Sequence, residues 1–167
     1  PVLSRGLGDV YKRQFEENIG RFLSEYGMQS FPEMGTIMKF AEEKDLDINS
    51  KVMKERQKAS LGTGNLIKYI EDYFSPQTDF RSIVVLSQIM QAFAIKSAVE
   101  IHRRSMPFCM GTLYWQFNDC WPAISWSSVD YFGNWKALHY HAKRFFNEII
   151  IVIPVSYTHL RAHETTL

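Results

Sequence analysis

Apolar residues recur at helical spacing most clearly between positions 80 and 104. Ile83, Leu86, Met90, Phe93, Ser97 and Ile101 share one stripe, widened by Ile89, Ala94 and Ala98, which predicts a core helix over Phe80–Arg104. Asp79 stands at its N-cap, and His102, Arg103 and Arg104 bring positive charge to the C-terminal end of the dipole before Met106-Pro107 stops it. On this reading His102 is a capping or surface group. Weaker patterns predict four further helices. Glu33–Glu43 carries Met34, Ile37, Met38 and Ala41 on one face, and Ser50 caps Lys51–Lys58, whose charges form a solvated face. Leu66–Phe74 follows, and Asn134 caps Trp135–Glu148, with Leu138, Ala142 and Phe145 inward. Leu61-Gly62-Thr63-Gly64-Asn65 reads as a loop and lacks the Gly-Lys-Ser/Thr ending of a phosphate loop.

Two short runs read as buried strands instead. Arg21-Phe22-Leu23 leads into Ser24-Glu25-Tyr26-Gly27, delivering a carboxylate at its tip, with Gly27 permitting a sharp exit. Thr112 to Phe117, after Gly111, is rich in aromatic and β-type residues and opens into Asn118-Asp119-Cys120-Trp121-Pro122, with Trp126 beyond. The order strand, helices, strand, helix is that of a parallel α/β sheet, here helix-rich and with two strands. Two strands alone leave open edges, so the expectation is weak autonomous folding. Aromatic rings beside amides and carboxylates suit a sugar, whose apolar C–H faces stack on the ring while polar groups bind hydroxyls. An aromatic core with a polar turn would read the same way.

Composition narrows this further. A chain of 167 residues, 46% hydrophobic and 14% aromatic, can bury a core and is not disordered. The net charge of +1, without a basic stripe, argues against nucleic acid as a partner. No apolar run approaches the about 20 residues of a membrane helix, so no membrane partner is expected. Cys109 and Cys120 flank an extended segment. At about 3.3 Å per residue that separates them well beyond the about 7 Å limit for a disulfide, so both read as free thiols. Their spacing matches no zinc site, and the histidines do not cluster with them, so no metal is expected.

The segments RFLSEYGMQSFP (21–32), INSKVMKERQK (48–58), the Ser87-Gln88 region, GTLYWQFNDCWP (111–122) and SWSSVDYFGNWKALHYHAKRFF (125–146) together resemble the β-mannosidases of glycoside hydrolase family two. The resemblance implies a (β/α)8 TIM barrel that removes terminal β-linked mannose with retention, using two glutamates and no cofactor. It makes this chain the last two parallel strands of that barrel with their helices. Glu25 then matches the nucleophile, a carboxylate held beside the anomeric carbon with a protonated carboxyl about 5–5.5 Å away. Trp115 matches a tryptophan on the floor of the sugar site, followed in related barrels by a cis peptide. Asn118 and Asp119 become substrate-binding or supporting residues.

The same resemblance marks what is missing. The acid/base glutamate would belong to an Asn-Glu pair at an earlier strand end, and Asn147-Glu148 falls too late to be that pair. The expectation is a fragment, inactive alone, whose partners are a β-mannoside oligosaccharide or glycan and the amino-terminal domains of the same polypeptide. Pro1–Gln14 and Pro154–Leu167 resemble translated sequencing-adapter read-through, leaving 15–153 as the barrel portion. A sister exo-glycosidase, β-glucosaminidase or β-galactosidase, and a non-catalytic carbohydrate-binding module stand as alternatives. The compartment is left open.

Overall fold

The computed structural model describes residues Ile19–Val152, so the adapter-like tails lie outside the described residues. The elements run β1 (Phe22–Leu23), α1 (Met34–Ile37), a 3-10 turn (Glu43–Asp45), α2 (Lys51–Arg56), α3 (Gly62–Glu71), α4 (Phe80–Arg104), β2 (Gly111–Thr112) and α5 (Ala137–Phe145). The strands pair in parallel, Phe22 with Gly111 and Leu23 with Thr112. The chain is therefore α/β and helix-rich, as the alternation of patterns implies.

Helix α4 is the spine. Its 25 residues match the predicted span, and the Asp79 carboxylate caps it by accepting from the Ser82 N–H at 2.8 Å. α3, α5 and β2 all pack on it. Ile83, Met90, Ile95 and Val99 join Phe31, Ile37, Met53, Ile70, Ile124, Leu138 and Phe145 in one core. Contrary to the sequence reading, α4 is apolar enough to cross a membrane, with mean hydropathy 1.5 over an 18-residue window. Its polar residues argue otherwise, because Ser87, Gln91 and His102 are buried in hydrogen bonds to the rest of the fold. This is the central helix of a packed domain.

Four sequence expectations need correction. The helix expected over 33–43 ends at Ile37, because Asp45 accepts the Glu42 N–H and closes a separate 3-10 turn. The expected loop 61–65 is helical from Gly62. Gly62 touches the side chains of Gln29 and Gln57, and that packing overrides poor glycine propensity. Asn134 does not cap α5. Its amide donates to Thr36 Oγ1 (2.9 Å) and Asp130 (3.2 Å), and the helix begins two residues later than expected, at Ala137. His102 is neither capping nor superficial: it is 1% exposed, with Nδ1 2.8 Å from Thr112 Oγ1.

Charge on α2 is also less solvated than its sequence suggests. Arg56 stacks between the rings of Phe40 and Trp121 and donates to the Pro122 carbonyl at 3.3 Å. Lys58, just beyond, pairs with Asp119 at 3.4 Å. Both residues tie the α2 region to the loop after β2. Ser50 caps α2 as expected, accepting from Met53.

Candidate active site

The two strand ends meet beyond their two-residue ladder. Met110 N–H donates to Arg21 O (2.8 Å), Leu113 to Leu23 O (2.8 Å) and Trp115 to Tyr26 O (2.7 Å). A regular parallel ladder advances by two residues on each side. Here the donors step from 110 to 113 and the acceptors from 23 to 26. Each strand thus carries an extra residue, which explains why regular pairing stops so early.

The tyrosines that follow turn toward the helices. Tyr26 Oη lies 2.6 Å from Thr112 Oγ1, and its ring meets His102 edge-on at 5.2 Å. Burial pushes the Tyr26 hydroxyl up to about 12 despite the Thr112 bond, and burial holds His102 below the usual histidine range. Tyr114 stacks on Phe146 and reaches Ser128 Oγ at 2.8 Å. Their chain neighbours Glu25 and Trp115 are both exposed, Trp115 by 47%. Gly27 makes this approach possible, since a Cβ on it would sit 2.1 Å from the Trp115 carbonyl oxygen. Close contact, rather than a sharp exit, is what requires glycine here.

The Trp115–Gln116 peptide is cis, as the resemblance led us to expect. From it Gln116 Nε2 donates to Asn118 O (2.7 Å) and Asp119 Oδ1 (3.2 Å). Asp119 is buried at 5% exposure, and its other oxygen accepts from Ser125 Oγ (2.7 Å) and Ser127 Oγ (2.6 Å). Its carboxylate is thus spent on holding the 116–128 loop, which fits the supporting role and not direct contact with a sugar. Asn118 is exposed, and its side chain makes no hydrogen bond to the described residues. The Trp115 N–H bond to Tyr26 O sets the backbone beside Glu25 next to Trp115; Asn118 and Asp119 follow on the loop after Trp115, one exposed and one buried. Cys109 is buried and Cys120 exposed, both free. Among the described residues no group of three His, Cys, Asp or Glu converges on a metal position.

Two residues that sequence reasoning missed support this rim. Lys136 is fully buried, donating to Ser30 O (3.4 Å) and Ser125 O (3.2 Å). Those carbonyls belong to the antiparallel bridge Ser30–Ser125. Burial pushes the Lys136 amine down to about 7, opposed by the nearby Asp119 and Asp130. Gln91 on α4 accepts from Ser30 Oγ (2.8 Å) and donates to Met28 O (2.9 Å) and Trp126 O (3.0 Å). A glutamine on the buried stripe of α4 was a visible signal for such a role. Lys136, among Trp135, Ala137 and Leu138, offered none.

No family model matches the chain. The β-mannosidases of Capra hircus and Bos taurus are 39% and 40% identical to it over 145 residues, covering 79% of this chain. The crystal structure of a β-D-mannosidase from Dictyoglomus thermophilum superimposes with TM-score 0.78 at 40% identity, covering 81% of this chain and 17% of that one. This chain is a homologue of the β-mannosidases. The likeness supports a segment of a family-two glycoside hydrolase. An Amycolatopsis orientalis exo-chitosanase matches with TM-score 0.67 at 18% identity, covering 77% of this chain and 16% of that one, a likeness of fold alone. The chain spans 16% of the length of the two mammalian relatives.

Proposed function

We infer that this chain supplies the closing two strands of a (β/α)8 barrel in a retaining exo-β-mannosidase. The enzyme would release terminal β-D-mannosyl residues from an oligosaccharide or glycan. The observation that carries the reading is the Trp115 N–H bond to Tyr26 O, which sets the backbone just after Glu25 beside Trp115 beyond a parallel strand pair, with both side chains exposed. Catalytic groups of such barrels occupy that end of the strands. Exposed apolar side chains beside β2 and α5, including Leu113, Phe117, Trp135 and Phe146, support a larger barrel around this piece.

In this reading the Glu25 carboxylate attacks the anomeric carbon, forming a glycosyl ester as the C–O bond to the leaving group breaks. A second carboxyl, from an earlier strand of the same polypeptide, protonates the departing oxygen and then deprotonates the water that cleaves the ester. Trp115 supplies the apolar floor for the pyranose, and Asn118 offers an amide to its hydroxyls. Asp119 holds their loop. Asn147-Glu148 is not the second pair, because it lies past the end of α5, with both carbonyls bonded to Arg103. In this reading the 167-residue chain alone does not turn over substrate.

The test is a chimera in which residues 19–152 replace the matching segment of the Dictyoglomus thermophilum enzyme. It should hydrolyse 4-nitrophenyl β-mannoside, and Glu25→Gln should lower kcat by about 1000-fold or more, the scale expected when a reacting group is lost. Faster cleavage of the β-glucosaminide or β-galactoside would reassign the sugar. Activity indifferent to Glu25→Gln would refute the nucleophile and leave a carbohydrate-binding role.

A further inference from the structure

Glu25 lies in a stretch between two anchored backbone positions. Leu23 O accepts from Leu113 N–H at 2.8 Å before it, and Tyr26 O accepts from Trp115 N–H at 2.7 Å after it. Ser24 and Glu25 bulge between those acceptors, and both are exposed. A bulge aims its side chains only as well as its two ends are held. One residue reaches both ends. Thr112 is the register partner of Leu23, and its Oγ1 lies 2.6 Å from Tyr26 Oη.

Behind Thr112 stands His102, buried in the last turn of α4, with Nδ1 2.8 Å from the same Oγ1. A threonine hydroxyl has one proton to give, so with two polar partners it donates to one and accepts from the other. The phenol is the most acidic of the three groups, and an uncharged imidazole nitrogen is the strongest acceptor. By that chemistry Tyr26 donates to Thr112, and Thr112 donates to His102, which fixes the tautomer with Nδ1 unprotonated. Burial favours the uncharged imidazole and keeps the Tyr26 proton in place. Bonds in such a chain polarise and strengthen one another.

We propose that His102 and Thr112 are positioning residues for Glu25, a relay that locks the Tyr26 hydroxyl and with it the far end of the nucleophile's bulge. The proposal rests on the glycosidase reading and adds to it two residues that act through Tyr26 and not on the sugar. Tyr26 is then tied to the second strand twice, by its carbonyl to Trp115 and by its hydroxyl to Thr112. Packing alone does not call for these polar atoms, since phenylalanine, valine and leucine would fill the same space. Each bonded polar group adds little net stability, but together they admit one arrangement where apolar side chains would admit several. That selectivity is what a carboxylate needs when it must meet an anomeric carbon in line.

The chimera carrying residues 19–152 tests the relay through kcat and KM for 4-nitrophenyl β-mannoside. Tyr26→Phe, Thr112→Val and His102→Leu should each lower kcat by about tenfold or more and leave KM within about threefold, because the sugar still binds while the reacting carboxylate is misplaced. Combining Tyr26→Phe with Thr112→Val should add nothing beyond the worse single variant, since both remove the same bond. Thr112→Ser keeps the hydroxyl, and His102→Asn sets an acceptor oxygen near the place of Nδ1, so both should hold kcat within about threefold of the unsubstituted chimera. Should Thr112→Val or His102→Leu fail to fold, Tyr26→Phe carries the test, because it loses one oxygen atom from an intact ring. Unchanged kcat in Tyr26→Phe or in folded His102→Leu overturns the relay. So does a fall in kcat that merely follows the fraction unfolded at the assay temperature. A chimera that needs Glu25 but ignores all these variants refutes only the relay. An inactive chimera whose parent segment is active refutes the glycosidase reading, and the positioning role falls with it.

Discussion

Replacing Gly27 by alanine tests the junction on which the candidate site depends. The added Cβ would lie 2.1 Å from the Trp115 carbonyl oxygen and 3.2 Å from both its carbonyl carbon and Trp126 Cδ1. The first contact is about 1 Å too short, and it is with backbone, so no side-chain rotation relieves it. Overpacking of this kind costs about 1–3 kcal/mol, and the fixed obstacle puts Gly27→Ala at about 2–3 kcal/mol. The functional loss should exceed the stability loss, because the displaced carbonyl belongs to Trp115 and lies against the backbone two residues past Glu25, the proposed nucleophile. A misplacement of about 1 Å at reacting groups costs on the order of 100-fold in rate. Urea unfolding of the chain, followed by tryptophan fluorescence, measures the first effect, and kcat/KM in the chimera measures the second. Gly64→Ala is the control: nothing lies within 4 Å of its Cβ position inside α3. There alanine should stabilise by about 0.5–1 kcal/mol through helix propensity. The reasoning fails if Gly27→Ala unfolds at the wild-type urea concentration and retains full turnover.

The loop after the cis peptide should depend on Asp119 for its shape. Asp119→Asn removes the charge that Ser125, Ser127 and Lys58 share and should cost about 3 kcal/mol by urea unfolding; a cost below about 0.5 kcal/mol would show the network to be incidental. Lys136 should make stability rise with pH. Its folded amine titrates at about 7 against an ordinary 10.5, so between those values the unfolded chain binds the extra proton. Relative to Lys136→Met, the wild-type chain should gain up to about 1.4 kcal/mol per pH unit from pH 7 to 9. A flat difference between the two proteins over that range would mean that Lys136 stays charged in its buried place.

Local patterns determined much of this protein by themselves. The α4 stripe and its Asp79 cap need only residues within a turn of one another, and its predicted bounds agree with the structure. The two strand-like runs around Glu25 and Trp115 pair as their patterns suggested, and the cis bond after Trp115 came with the family resemblance. Where the sequence misled, a distant partner had claimed the residue. Asn134 looks like a cap until Thr36 and Asp130 take its amide, Gly62 looks like a loop until Gln29 and Gln57 close on it, and His102 looks terminal until Thr112 reaches it. Lys136 shows the limit most plainly. A lysine reads as surface because its charge is costly to bury, and only tertiary packing, bringing the Ser30 and Ser125 carbonyls and two carboxylates around one amine, makes its burial possible.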